Sequence, residues 1–249
     1  MIFCDLTGKT ILITGASSGI GRQTAIKVAE HGGKVIISGR NPSRLKKTFE
    51  SLPGDGHRMI SADLLVGDEM ELLVDSLPAL NGIAHCAGVV GPTPVKFIRR
   101  EDIEKLLKIN FEVPVMLTGR VLTMKKLADD ASLVFMSSIA TSFPYFGGAL
   151  YSSAKAAVEA YSRSLALELV GRGIRSNCLA PGLVNTPILT DPAKEGNPEI
   201  VDDSIRKYLQ KYPQGIGEPL DVANAILFLL SDESRWISGV CIPMGAVLQ

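Results

Sequence analysis

Tyr151 and Lys155 stand four residues apart in the stretch Ser138–Lys155, at the start of a long helical pattern. One turn of helix puts both side chains on the same face. A phenol with its ordinary pKa near 10 is a poor acid–base group at neutral pH. A neighbouring ammonium favours the phenolate. The spacing therefore predicts a proton donor and acceptor, Tyr151, whose pKa Lys155 lowers toward the working range. An exposed helix pair would have the same spacing, so the setting of the two residues has to decide.

That setting is an alternation of strands and helices. Lys9–Thr14 reads as a buried strand, followed by the glycine turn Thr14-Gly-Ala-Ser-Ser-Gly-Ile-Gly21 and a helix from about Ile20 to Glu30. Lys34–Ser38 is the next strand, which completes a strand–helix–strand unit. Further strands are expected at Arg58–Ala62, Gly82–Ala87, Ser132–Ser137, Ile174–Ala180 and Gly239–Pro243. Helices are expected at Ser43–Leu52, Asp68–Leu77, Glu101–Leu127 (interrupted by Pro114), Leu150–Val170 and Asp221–Leu230. Seven strands interleaved with helices predict an α/β fold: a single doubly wound Rossmann-type domain over residues 1–249, with a seven-stranded parallel sheet covered on both faces.

Such sheets bind ligands beyond the carboxyl ends of their strands, where strand order reverses. The chemically informative residues all follow strands at those ends. The turn Gly15–Gly21 lets backbone approach a pyrophosphate at a helix N-terminus. After the second strand the chain reads Ser38-Gly39-Arg40-Asn41, with no acid to hold a ribose 2′-hydroxyl. A guanidinium suits a 2′-phosphate, so the expected cofactor is NADP(H), with Arg22 and Arg44 as helpers; a solvated turn-capping arginine is the other reading of Arg40. Asp63 either accepts from an adenine amino group or caps its own turn. His85 is expected to pack within its strand.

Composition excludes several function classes. The chain has 249 residues, 46% hydrophobic and 21% charged, with a formal net charge of zero and no basic tract. Nucleic acid and anionic membranes are not expected partners. Cys4, Cys86, Cys178 and Cys241 are too scattered for a zinc site or a disulfide framework, and His31, His57 and His85 form no ligand-spaced group, so no metal is expected. With no long apolar run and no secretory pattern, a cytoplasmic protein is expected.

Taken in order, Thr14-Gly-x-x-x-Gly-x-Gly21, Asp63-Leu64, Ala87-Gly88, Asn110, Ser138, Tyr151-x-x-x-Lys155 and Pro181-Gly182 resemble the short-chain dehydrogenase/reductase family, closest in look to the 3-oxoacyl-[acyl-carrier-protein] reductases. The resemblance runs from Leu6 to Gly245. It implies a catalytic set of Asn110, Ser138, Tyr151 and Lys155. Tyr151 would protonate a carbonyl oxygen, Lys155 would tune Tyr151 and hold the nicotinamide ribose, Ser138 would hydrogen-bond the substrate oxygen, and Asn110 would anchor a proton-relay water. Ser137 fits the Ser138 role less well by spacing. Cofactor contact is implied for Gly15, Ser17, Ser18, Gly19, Ile20, Gly21, Arg40, Asn41, Asp63, Leu64, Ala87, Gly88, Tyr151, Lys155, Pro181, Gly182, Val184 and Thr186. Pro114 has no N–H to reach the Asn110 carbonyl, which independently favours a water there.

The chain departs from the family pattern in places. His85-Cys86 replaces the usual Asn-Asn before Ala87-Gly88; the second Asn supports neighbouring backbone, so Cys86 should weaken or reroute that network without removing hydride chemistry. Gly245-Ala246 replaces the usual Gly-Gly. Arg172 fits one of two arginines expected to flank the active-site mouth, but Asp129 and Asp130 occupy the other place, with Lys125 and Lys126 nearby. The polar segment 187–217, with an amphipathic piece Glu199–Tyr212, is expected to cover the substrate. The resemblance also implies a homo-oligomer, tetramer or dimer, and the stripe Ala154, Ala157, Val158, Tyr161, Leu165 and Leu169 would suit either an interface or the core.

The expected function is interconversion of a carbonyl and a secondary alcohol in a small molecule, with an acyl thioester, another ketone, a sugar or a quinone all open as substrate. The alternatives are a non-catalytic NADP(H)-binding regulator and an epimerase or dehydratase of the same superfamily.

Overall fold

The computed structural model describes residues 3–187 and 214–245. Seven strands form one sheet: β1 (Thr10–Thr14), β2 (Lys34–Gly39), β3 (Arg58–Ser61), β4 (Leu80–His85), β5 (Leu127–Met136), β6 (Arg175–Pro181) and β7 (Cys241–Met244). Their spatial order is β3-β2-β1-β4-β5-β6-β7, and every neighbouring pair is parallel. The helices are α1 (Gly19–Glu30), α2 (Pro42–Phe49), α3 (Gly67–Ser76), α4 (Arg100–Leu107), α5 (Val113–Thr123), α6 (Ala149–Glu168) and α7 (Pro219–Leu230). The chain leaves β1 toward β2 and β3, then crosses back to place β4 on the other side of β1. The crevice between the carboxyl ends of β1 and β4 is therefore the switch point where a doubly wound sheet takes its ligand.

Alternation within the strands sorts the core into two layers. Ile11, Ile13, Val35 and Ile37 face Ala25 and Val28 of α1 and Val222 and Ile226 of α7. Leu12, Ile36, Ile83, Leu133 and Phe135 face Leu73 of α3, Leu117 of α5 and Val158 of α6. The stripe on α6 belongs to this second layer: Ala154, Val158 and Leu165 are buried, and Tyr161 and Leu169 pack against the same cluster. It is a core face. The large apolar side chains that α6 and its C-terminal turn leave in solvent are Leu167 and Val170, with Met116 of α5 also exposed.

Two elements differ from the sequence expectation. The long helix expected through Leu127 ends at Thr123, and Lys125 turns the chain with a φ of 53°. Strand β5 then begins at Leu127, which pairs with Leu80, and the register shifts before Ser132 pairs with Gly82. The exposed Asp129 and Asp130 occupy that irregularity, so the strand lacks the apolar alternation that would have marked it. Arg172 donates to Asp129 (2.8 Å) and to the Leu127 carbonyl (2.5 Å), and Lys126 donates to the Leu77 carbonyl (2.7 Å). These residues lie at the amino end of β5, while Ser138 follows its carboxyl end. Within the chain they do not flank the mouth of the site.

His85 packs inside its strand, stacked on Phe135 with ring centroids 4.5 Å apart. Thr118 gives its hydroxyl proton to the Pro114 carbonyl (2.7 Å), so the His85 Nε2–H donates to Thr118 (3.0 Å). Burial pulls the His85 pKa down to about 3. The unfolded chain takes up this proton near the ordinary value of 6.5 and the folded chain does not, so stability is complete above 6.5 and is lost as pH falls from there toward 3. His85→Phe is expected to remove about 2 kcal/mol of the stability difference between pH 7.5 and pH 5, read from denaturant melts at the two pH values. An unchanged difference would show that other groups set the acid sensitivity.

The segment 187–217 lies mostly outside the described residues, including all of Glu199–Tyr212, as does Ala246 at the C-terminus. The ends of the segment are described. Asn185 donates to the Gly217 carbonyl (2.8 Å) and Gly217 to the Leu183 carbonyl (2.9 Å), so the segment leaves and rejoins the fold at one place. No described helix is long and apolar enough to cross a membrane, and among the described residues no three His, Cys, Asp or Glu side chains group to hold a metal ion.

Candidate active site

The switch point closes around glycine. Gly15, at a φ of 65°, lies so near β4 that a Cβ there would sit 2.7 Å from the Ala87 nitrogen, and a Cβ on Gly21 would sit 2.5 Å from the Gly15 carbonyl oxygen. Only glycine permits these approaches. Thr14 accepts from the Ala87 N–H (3.2 Å), which ties the two strand ends together. Helix α1 then begins with no side-chain cap from Ser18 and no acid in its first turn, so its leading N–H groups are left for an anion. Ser17 lies beside Gly39 at the end of β2, and Ile20 packs on the core. Across the crevice, β6 ends at Pro181, Gly182 donates to the Met244 carbonyl (2.9 Å), and the buried Val184 and Thr186 follow. Thr186 rests against Gly19, where a Cβ would meet its methyl at 3.1 Å. These features fit a dinucleotide lying across the strand ends.

Beyond β2, Arg40 is exposed and makes no hydrogen bond or ion pair with any described residue. It borders a cavity of about 320 Å³, together with Leu65, Val89, Lys105 and Lys108, and with Glu101 and Glu104 on the same wall. Asn41 spends its side-chain oxygen on the Arg44 N–H (2.9 Å), capping α2. Asp63 accepts from the Leu65 N–H through Oδ1 (3.1 Å), so one of its oxygens caps its own turn, and Leu64 is buried. Arg22 and Arg44 are both exposed.

The catalytic candidates converge from three elements. Between α4 and α5 the helix widens into a π turn over Lys108–Glu112, in which the Val113 N–H reaches back five residues to the Lys108 carbonyl. Pro114, at the start of α5, has no N–H for the Asn110 carbonyl. The Asn110 side chain is committed elsewhere: it accepts from the Val89 N–H (3.2 Å) and donates to the carbonyls of Val89 (2.9 Å) and Leu106 (3.0 Å). It braces the segment after β4. Burial pushes the Cys86 thiol up to about 12. A Cβ on Gly88 would lie 2.8 Å from Asn110 Oδ1 and 3.5 Å from Lys155 Nζ, so this glycine brings Asn110 and Lys155 close together.

Lys155 is buried, donates to the Met136 carbonyl (2.9 Å), and has no carboxylate within ion-pair distance among the described residues. Burial pulls its pKa down to about 8. Tyr151, one turn earlier on α6, reverses the sequence expectation. Burial pushes its pKa up to about 12; the neighbouring Tyr145 adds to the rise, and a hydrogen bond with Ser138 opposes it. The ammonium stands 5.7 Å from the centroid of the Tyr151 ring and directs one of its N–H groups at the Met136 carbonyl. The phenol is therefore held as the protonated donor. Ser138 accepts from the Ala140 N–H (3.2 Å) and lies close enough to Tyr151 to oppose the rise in its pKa. Ser137 turns away and donates to Glu159 (2.5 Å).

The sequence reading did not single out Tyr145 and Glu159. Tyr145 lies in the same loop as the catalytic stretch. Glu159 stands eight residues after Tyr151, two turns along the same helix face, and that spacing was available as a signal.

A family model described as short chain dehydrogenase matches residues 9–196. The chain is 31% identical over 246 residues to the 2,5-dichloro-2,5-cyclohexadiene-1,4-diol dehydrogenase LinX of Sphingobium indicum, covering 96% of this chain and 95% of that protein. It is 34% identical over 236 residues to the 3-oxoacyl-[acyl-carrier-protein] reductase FabG of Rickettsia felis, covering 94% of each. Among solved structures, the angucycline C-6 ketoreductase LanV with bound NADP superposes with a TM-score of 0.85 at 27% identity, covering 97% of this chain and 96% of that one.

Proposed function

The chain belongs to the short-chain dehydrogenase/reductase family, and on that premise we propose that it is an NADP(H)-dependent oxidoreductase interconverting a carbonyl and a secondary alcohol. The observation that carries this is Lys155. A buried ammonium without a carboxylate is costly to a fold, and such groups mark functional sites. Here it stands beside a protonated phenol and a serine hydroxyl at the switch crevice. A binding module needs no such group.

The dinucleotide would lie along Gly15–Gly21 with its pyrophosphate at the start of α1. Arg40 would take the 2′-phosphate, Asn41, Asp63 and Leu64 would border the adenosine, and Ala87, Gly88, Pro181, Gly182, Val184 and Thr186 would border the nicotinamide half. Tyr151 and Lys155 would hold its ribose. When bound, the reduced nicotinamide supplies a hydride. Tyr151 gives its proton to the substrate oxygen. Ser138 hydrogen-bonds that oxygen and steadies the charge that develops on it. Lys155 keeps a positive charge beside the phenol, and the Asn110 carbonyl, to which Pro114 offers no N–H, would hold the water through which the proton is replaced.

A small ketone is the favoured substrate, in keeping with the cyclic diol named for LinX and the keto-reduction named for LanV. A 3-oxoacyl thioester is the second reading, favoured by the likeness to FabG. Docking of an acidic carrier protein is not favoured, because Arg172 is paired with Asp129 at the far end of β5. We assign the whole chain to one cytoplasmic domain, with 187–217 over the substrate, and its self-association to the exposed Met116, Leu167 and Val170.

The test is NADPH consumption with acetoacetyl thioesters, cyclic ketones, quinones and sugars. Reduction is expected, with kcat/KM level below a pH of about 8 and falling above it as Lys155 loses its proton. Tyr151, at about 12, does not titrate in that range. Tight NADPH binding without turnover of any of these compounds would favour the non-catalytic regulator.

A further inference from the structure

Glu159 completes a ladder on one face of α6. Tyr151, Lys155 and Glu159 follow at successive four-residue steps, so each lies one turn beyond the last. The last two grip consecutive residues where β5 ends. Lys155 donates to the Met136 carbonyl (2.9 Å), and Glu159 Oε1 accepts the Ser137 hydroxyl (2.5 Å). The same oxygen lies 3.0 Å from the Thr141 hydroxyl, which is also 3.0 Å from the Ser138 carbonyl and shares its one proton between them. Ser138 lies inside this bracket, held on one side by Ser137 and on the other by Thr141. Among the described residues, Arg163 is the cation paired with Glu159, 3.9 Å from Oε2 and more than half exposed. Charge-assisted hydrogen bonds from a carboxylate to two hydroxyls are stronger than neutral ones. The side chain is only 15% exposed, so water does not readily replace them.

We infer that Glu159 is a positioning residue, clamping the Ser137–Thr141 loop to α6 so that the Ser138 hydroxyl stays in register with Tyr151. The inference rests on the reductase reading for its catalytic consequence and on geometry alone for the clamp. Without Glu159 the loop keeps its backbone turns but loses its tie to the helix that carries the proton donor. A misplaced hydroxyl supports the developing oxyanion poorly, and this lowers kcat more than it weakens cofactor binding.

Two measurements test this. Glu159→Ala is expected to lower kcat roughly tenfold to a hundredfold while KM for NADPH stays within about twofold. Glu159→Gln, whose amide oxygen still accepts both hydroxyls, should recover to within about threefold of the parent. In a Ser137→Ala, Thr141→Val background, Glu159→Ala should bring no further loss. Equal fold-losses in both backgrounds would overturn the clamp. Amide hydrogen exchange of residues 137–143 is read independently of turnover, and Glu159→Ala should speed it by roughly tenfold. Unchanged exchange overturns the inference even in an active enzyme. Faster exchange in a protein that reduces none of the carbonyl compounds overturns the reductase reading and leaves the clamp standing.

Discussion

Tyr151→Phe is expected to lower the rate of carbonyl reduction by about three orders of magnitude while NADPH affinity stays within roughly threefold. The variant keeps the ring and its packing and removes only the proton. Burial holds the phenol at about 12, so at neutral pH essentially every molecule carries the donor proton. The same burial penalises the phenolate that alcohol oxidation would need, so the protein's own electrostatics favour reduction near neutrality and oxidation only at higher pH. Single-turnover kinetics with saturating NADPH, together with an equilibrium titration of cofactor binding, separates loss of chemistry from loss of binding. If the Phe variant kept more than about a tenth of the parent rate, the proton would have to come from another group. Tyr145, the phenol beside Tyr151, would be the next candidate.

Arg40→Asp is expected to change the ratio of kcat/KM for NADPH over NADH by roughly a hundredfold or more. The substitution removes a guanidinium that no described residue engages and places a carboxylate where a ribose 2′-hydroxyl could donate. A 2′-phosphate then meets like charge, while NADH gains an acceptor. Arg22→Ala and Arg44→Ala should change the ratio much less, since neither follows the carboxyl end of β2. An unchanged ratio in Arg40→Asp would move cofactor discrimination to Lys105 and Lys108 on the wall of the adjoining cavity.

The parts of the fold that were legible in the sequence are those with strong local periodicity. The apolar run of β1, the glycine turn and α1 follow in the expected order, and the glycines stand where a Cβ would strike β4 or the turn itself. Pro114 announced a distorted helix at Asn110, because a missing N–H is a covalent fact, and the π turn is where it falls. The start of β5 was not legible. Asp129 and Asp130 break the apolar alternation, and only the pairing of Leu127 with Leu80 makes that stretch a strand. The α6 stripe was ambiguous for a similar reason: a helix face that meets the sheet and one that meets another subunit select the same side chains.

The sequence by itself determined the doubly wound α/β architecture, the ordered motifs of the family, and which residues would gather at the carboxyl ends of the strands. Spacing and backbone chemistry suffice for these, because periods of two and 3.6 residues, glycine and proline act locally. Only the tertiary structure decided the electrostatics and the hydrogen-bond partners. Lys155 stands one turn from Tyr151 as expected, yet it donates a hydrogen bond to the Met136 carbonyl, and burial is the largest influence on the phenol. Arg172 is spent on Asp129, and Ser137 is spent on Glu159 while its neighbour Ser138 accepts from the Ala140 N–H. Each outcome depends on how much water a packed group loses and on which distant strand supplies its partner. Spacing along the chain contains neither quantity.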